Sequence, residues 1–357
     1  MRSLQVLRLR LPKELFTPSS CEPRRRADRT GGMADATTEA AAQAKELPLI
    51  DWRQVQAVAP LVEMICAEME RHVGQLRAET EWPALTVPGD NSIDLLTQDI
   101  GLVVFTHPSG ELKGCNVYVG GGMGRTHNKE ETFARIADPL GYVAANEVLD
   151  LVQSILALQR DHGDRQIRRH ARMKYLVHDR GVSWFKSELT QNYFRGELKS
   201  LRNEPKAKLT DYLGWHRQQP GIWFVGIPLL CGRLEGAFKA GLREIVDRYQ
   251  LELRLTPNQD VLLCNIGSSQ RNSVRDALSN LGIKTPEAPP PLARHAIACP
   301  ALPTCGLAIT ESERILPRVL ERLDAQLSRL EIEKSLLFRM TGCPNGCARP
   351  YMAELAL

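Results

Sequence analysis

The sequence predicts an α+β protein of more than one domain, and three observations carry that reading. The chain has 357 residues, enough for two or three domains with a substantial core. Residues 221–285 run strand, helix, strand pair, helix, the order of a ferredoxin-like split βαβ sandwich. Upstream, a strand-and-turn stretch lies between two segments of helical apolar spacing.

In chain order, residues 1–32 are Arg-rich and acid-poor with Ser and Thr, as a transit peptide is, or else an over-extended start ahead of Met33. Residues 33–46, rich in Ala, Thr and Glu, read as a flexible or frayed helical lead. Val58, Leu61, Val62, Ile65, Met69 and Val73 fall at helical spacing, predicting a helix from near Pro60. From Thr86 to Asn128 the turn pairs Pro-Gly-Asp and Ser-Gly separate strands. A second helix follows Asn146, its expected N-cap, with Val148, Leu151, Val152, Ile155 and Leu158 or Leu156 facing inward. The sandwich unit comprises the strand "IWFVGIPLL", the helix "GAFKAGLREIVDRY", strands around the turn Pro257-Asn258-Gln259, and the helix "SVRDALSNLG". "TPEAPPPLAR", residues 285–294, is a Pro-rich linker, and "LPRVLERLDAQLSRLEIE" is a further helix.

Composition excludes some classes. No apolar run reaches the roughly 18 residues of a membrane span, so no membrane segment is expected. A net charge of +4 is too mild to imply nucleic acid by itself. Nine cysteines, an odd number without a secretory signal, point to a reducing compartment and away from a disulfide framework. Five stand singly and read as core or inert thiols. The other four are paired: Cys299 and Cys305 as C-x5-C, Cys343 and Cys347 as C-x3-C. Zinc knuckles favour C-x2-4-C, which suits only the second pair. A 4Fe–4S cluster needs four thiolates on sharply turning backbone, and Gly306, Gly342, Gly346, Pro300, Pro303 and Pro344 supply the turns. An iron–sulfur cluster leads on spacing, with zinc and structural cysteines as the alternatives.

Two further constellations carry charge or backbone chemistry. "GDRQIRRHARMKY", residues 163–175, holds Arg165, Arg168, Arg169, His170, Arg172 and Lys174. It reads as a solvated basic helix, a nucleic-acid patch, or a surface for a carboxylate-rich ligand. Only Tyr175 supplies aromatic interleaving and no nucleic-acid motif accompanies it. "VGGGMGRTHNKEETFAR" is Gly-rich but matches neither phosphate-binding pattern; such glycines also let backbone lie against a large planar ligand.

Taken together, "ACPALPTCGLAITESER", "RMTGCPNGCARPYMAE", "TVPGDNSIDLLTQDIGLVVF", "GGGMGRTHNKEETFARIADPLGY" and "QRDHGDRQIRRHARMKYLVHD" resemble ferredoxin-dependent assimilatory sulfite reductases of cyanobacteria and plastids, in the siroheme and 4Fe–4S nitrite/sulfite reductase family. The likeness runs from about Thr86 to Leu355, in several long motifs in one order. It implies a siroheme/4Fe–4S reductase-type mixed α/β domain at 86–220, a ferredoxin-like half-domain at 221–285 and a truncated second siroheme/4Fe–4S repeat at 286–357, with 1–85 unassigned. It also implies six-electron reduction of sulfite to sulfide with reduced ferredoxin as donor. By position, Cys299, Cys305, Cys343 and Cys347 would bind the cluster, and Cys347 would bridge to the siroheme iron. Lys174, Gln259, Asn345 and Arg349 would lie near the siroheme, whose eight carboxylates give the basic run a ligand.

The chain departs from the family in ways that matter. The family's substrate-binding basic residues lie in an upstream half and in a motif like "PRKFK"; here that place reads "AETEWPAL", without lysine, so catalytic residues stay unassigned. With the ending "ELAL", this implies an incomplete copy with a water-open siroheme face and slow turnover. The alternatives are a nitrite reductase or a non-catalytic iron–sulfur or siroheme-binding fragment. A monomer in the bacterial cytoplasm or plastid stroma is expected, without nucleic acid or membrane.

Overall fold

A computed structural model describes residues 61, 63–65, 83–209, 212–283, 292–330 and 336–357. The readings placed on residues 1–46, on Val58, Val62, Met69 and Val73, and on most of the Pro-rich linker lie outside the described residues. Leu61 and residues 63–65 are helical, and Leu61 and Ile65 are buried in the first core, as the helical spacing requires.

The first unit is a four-stranded sheet in the order β1-β2-β3-β4. β1 (Pro83–Thr86) runs parallel to β2 (Ile100–Thr106), while β3 (Leu112–Val119) and β4 (Asp138–Ala144) continue antiparallel. β4 carries no strand signal in its opening Asp138-Pro139. Proline is tolerated because β4 is an edge strand, where a missing N–H breaks no central ladder. Helix α1 (Val148–His162) packs against the sheet through Val148, Leu151, Val152, Ile155, Leu156 and Leu158, all buried. Each such side chain contributes about 1.5–3 kcal/mol of burial. Asn146 is not its N-cap. A 3₁₀ turn, Ala145–Glu147, precedes the helix, Glu147 takes the cap position, and no side chain caps it. α2 (Met173–Arg180) and α3 (Val182–Glu188) complete the unit, meeting at Gly181 with φ 82°.

The second unit confirms the split βαβ order. β5 (Gly214–Gln219), β6 (Ile222–Ile227), α4 (Gly236–Tyr249), β7 (Glu252–Leu255), β8 (Val261–Gly267) and α5 (Arg271–Asn280) follow one another, with sheet order β5-β6-β8-β7. β8 slots between β6 and β7, all neighbours antiparallel. β5 pairs with β6 across Pro220-Gly221, so the sheet takes in residues ahead of 221.

The third unit is small. β9 (Ile297–Ala298), helix α6 (Leu316–Arg329), β10 (Phe338–Met340) and β11 (Leu355–Ala356) enclose a core of Leu292, Ala298, Leu316, Leu320, Phe338 and Met340. Pro317 stands in the first turn of α6, where its missing N–H costs nothing. The sheet order is β11-β10-β9 and every pairing is parallel. Among the described residues no helix is long and apolar enough to cross a membrane.

Candidate cluster site

Parallel pairing of β9 and β10 decides where the cysteines go. Ala298 pairs with Met340, so both strands deliver their following residues at the same end of the sheet. Cys299 comes directly after β9, and Cys343 follows β10 by three residues. The Cys299 N–H donates to the Met340 carbonyl at 3.1 Å, and the Gly342 N–H points at the Cys299 sulfur at 3.3 Å.

The first pair's turn is knotted onto the second. Ile309 and Thr310 both donate to the Gly342 carbonyl, at 2.7 and 3.1 Å, and the buried Ser312 hydroxyl donates to Met340 O at 2.7 Å. A Cβ at Gly342 would meet Ala301 Cβ at 2.6 Å and Thr310 O at 2.7 Å, so only glycine lets the two turns touch. Ala301 takes φ 48° and receives the Cys305 N–H at 2.7 Å. In the second turn the Gly346 N–H donates to Cys343 O at 3.2 Å, with Gly346 at φ 61°.

Cys347 feels the other three thiols. Partial burial, then the charges of Cys299, Cys343 and Cys305, push the Cys347 thiol above its ordinary value. Cys347 is the exposed member of the four; the other three are half-buried. Among the described residues no three His, Cys, Asp or Glu side chains form a set that could hold one metal ion. Cys115 and Cys264 behave differently: they are sealed in the cores, and burial pushes both thiols up to about 12.

The glycine-rich loop closes against the second cysteine turn. The Arg125 N–H donates to Pro344 O at 3.0 Å, and a Cβ at Gly124 would lie 3.4 Å from the Asn345 carbonyl. Lys174 holds that loop from behind. It is 1% exposed, and its Nζ donates to Gly124 O and Phe133 O at 2.6 Å and to Gly122 O at 3.3 Å. Desolvation, followed by Arg172, pushes Lys174 down to about 8, while Asp99 pulls the other way. Arg172 pairs with Asp99 at 2.5 Å. The run 163–175 is therefore not a uniformly solvated helix: Arg165, Arg168 and Arg169 are exposed, whereas Lys174 points into the protein.

Gln259 and Arg349 also serve the site's frame. Gln259, at φ 70°, donates through Nε2 to Ala298 O at 3.0 Å and accepts the Ala298 N–H at 3.3 Å, tying the second unit to the strand ahead of Cys299. Asn345 is half-buried on the turn between Cys343 and Cys347. Arg349 places Nε 2.6 Å from an Asp94 carboxylate oxygen. Arg339 shares that oxygen at 3.3 Å and is wholly buried. The sequence reading missed Asp94 and Arg339. The one available signal was an arginine inside the apolar run "LLFRM", where a charge without water demands a partner.

Two family descriptions match the chain. Residues 62–197 match the nitrite and sulphite reductase 4Fe-4S domain, and residues 216–281 the nitrite/sulfite reductase ferredoxin-like half domain. The paired cysteines lie outside both ranges. A sulfite reductase [ferredoxin] from Synechococcus elongatus is 56% identical over 278 residues, covering 76% of this chain and 44% of that protein. The sulfite reductase [NADPH] hemoprotein beta-component of Chromohalobacter salexigens is 40% identical over 283 residues, covering 76% of this chain and 48% of that protein. The chain thus spans about half the length of the curated relatives it matches. The structure of the Mycobacterium tuberculosis NirA protein superposes with a TM-score of 0.63 at 24% identity, over 74% of this chain and 47% of that one, which shows a shared fold.

Proposed function

The chain belongs to the nitrite and sulfite reductase family, and from that premise we propose that it holds a 4Fe–4S cluster on Cys299, Cys305, Cys343 and Cys347, with siroheme beside Cys347, for the six-electron reduction of sulfite to sulfide. The observation that carries this is the convergence of the two cysteine pairs at one end of a parallel strand pair. A 4Fe–4S cluster takes four cysteine thiolates on sharply turning backbone, which suits two cysteine pairs carried on turns that touch at Gly342.

When bound, the cluster and siroheme supply electrons one at a time and an iron to which the sulfur anion can bind. The chain's own residues do the rest. The Gly342 N–H stabilises the Cys299 thiolate by a hydrogen bond to sulfur. Cys347, exposed where its partners are half-buried, is the thiol that would hold the siroheme side of the site. Lys174 shapes the glycine loop through three carbonyls, and Gln259 sets the strand ahead of Cys299. We place both as positioning residues around the siroheme, with Asn345 and Arg349 on the turn that would face it.

Reduced ferredoxin is the proposed donor and sulfite, rather than nitrite, the proposed substrate, because the relative at 56% identity is a ferredoxin-dependent sulfite reductase. A monomer in the bacterial cytoplasm or plastid stroma is proposed, and either compartment keeps these cysteines reduced. The domains are proposed as the four segments 1–85, 86–220, 221–285 and 286–357, with the β5 strand joined to the third.

Anaerobic reconstitution with iron and sulfide tests the cluster. The chain should gain broad visible absorption, Cys299→Ser should lose it, and Cys115→Ser should keep it. Intact iron and sulfide content in Cys299→Ser would overturn the ligand set. Sulfide release with reduced methyl viologen, after siroheme is added, tests the chemistry.

A further inference from the structure

A buried ionic knot lies under the second cysteine turn. Arg339, on β10, is 0% exposed, and its Nη1 donates to the carbonyl of Ala348, the residue following Cys347, at 3.3 Å. Its Nη2 stands 3.3 Å from Asp94 Oδ2. Arg349 reaches the same oxygen at 2.6 Å. Asp94 itself is 2% exposed and sits in the left-handed region at φ 48°. Among the described residues, neither Arg339 Nη2 nor Arg349 Nη2 has a well-aligned hydrogen-bond acceptor.

The charges in this knot do not cancel. Among the described residues two guanidiniums face one carboxylate, leaving one positive charge over. Glu354, the other carboxylate that acts on Arg339, is exposed and accepts the Leu337 N–H, so water screens it. Burying a net charge is costly unless an opposite charge lies close. Arginine cannot escape that cost by losing its proton.

The inference that follows rests on the cluster reading above. Four thiolates make a bound cluster net negative, and its reduction adds one electron from the reductant with no bond made or broken. We propose that the surplus charge of the Asp94–Arg339–Arg349 knot is the buried counter-charge of the cluster, raising its reduction potential by favouring the reduced, more negative state, with Asp94 holding both arginines in place and moderating their field. Charge and enclosure are recognised levers on cluster potential. The field is little screened at its source, because Arg339 and Asp94 are themselves shut off from water.

The test is a dithionite titration of the reconstituted chain, followed by visible absorption and EPR. Arg339→Gln and Arg349→Gln remove a positive charge and should lower the midpoint potential. Asp94→Asn removes the negative charge and should raise it. Arg349→Lys keeps the charge and should stay near the parent value. Should Arg339→Gln fail to fold, Arg349→Gln, at the less buried position, carries the comparison. A purely structural knot would move all the neutralising variants the same way or none of them. Either result, with the cluster loaded, overturns this inference and leaves the cluster reading standing. A parent chain that takes up no iron and sulfide overturns both.

Discussion

At Lys174 a formal cation holds main chain. Its three carbonyl acceptors come from both ends of the glycine-rich loop, and the price is an ammonium removed from water. Burial lowers its folded-state value to about 8, below the roughly 10.4 of an unfolded chain. Between those two values the unfolded state binds more protons, so this residue's contribution makes the protein more stable as pH rises from about 8 to about 10.5. The gain is at most about 3 kcal/mol. Urea unfolding at pH 7.5 and 9.5 should show it as a slope that Lys174→Met lacks; equal slopes would mean that the ammonium stays charged throughout. The sequence marked Lys174 by its place in a basic run, but periodicity could not show that it turns inward while Arg168 and Arg169 face water. Asp94 and Arg339 were less legible still. Nothing local to either residue names a partner about 250 positions away.

At the scale of elements, the legible parts were those with a strong period. α4, α6 and the strands β6 to β8 fall where apolar spacing puts them, because each buries one face against a core. The three strands of the third unit were not legible: two or three residues carry no period, and their pairing is set by what flanks them. Asn146 misled for a related reason, since a cap-forming residue was taken into a 3₁₀ turn one step ahead of the helix. Glycines here separate into two kinds that substitution should distinguish. A Cβ at Gly121 would meet Leu96 O at 2.4 Å and Gln98 O at 2.6 Å, both backbone, while one at Gly306 would meet nothing within 4 Å. Gly121→Ala should therefore cost about 1–3 kcal/mol through forced backbone movement. Gly306→Ala, although next to Cys305, should leave the midpoint of thermal unfolding unchanged. A comparable loss at both positions would mean that local flexibility, not space, governs these turns.

At the scale of the whole molecule, polar ties join the three units, beside the packing of Cys231 against the third unit's core. Gln259 joins the second unit to β9, Arg233 pairs with Glu313 across the same boundary, and Asp94 joins the first unit to β10 and the cysteine turn. Cutting one tie should loosen the third unit while the first two keep their stability. Gln259→Ala removes two hydrogen bonds, worth roughly 1–3 kcal/mol together. None of the five tryptophans falls between residues 286 and 357, so tryptophan fluorescence is blind to the third unit. In Gln259→Ala the reconstituted cluster's visible absorption should bleach at lower denaturant than the tryptophan transition. Coincident transitions would show that the units unfold as one. Those ties are what a single sequence shows least well, because each is one side chain meeting backbone or charge from a distant segment.

The Asp94 pairing also bears on how the chain comes to be folded. Synthesis delivers Asp94 long before either arginine, and a contact closing so large a loop forms slowly. Until then the carboxylate remains hydrated and the cysteine turn has no floor. During that interval the first two units are complete while the last segment stays open to proteases, an exposure set by the rate at which the loop closes and not by the stability of the cores.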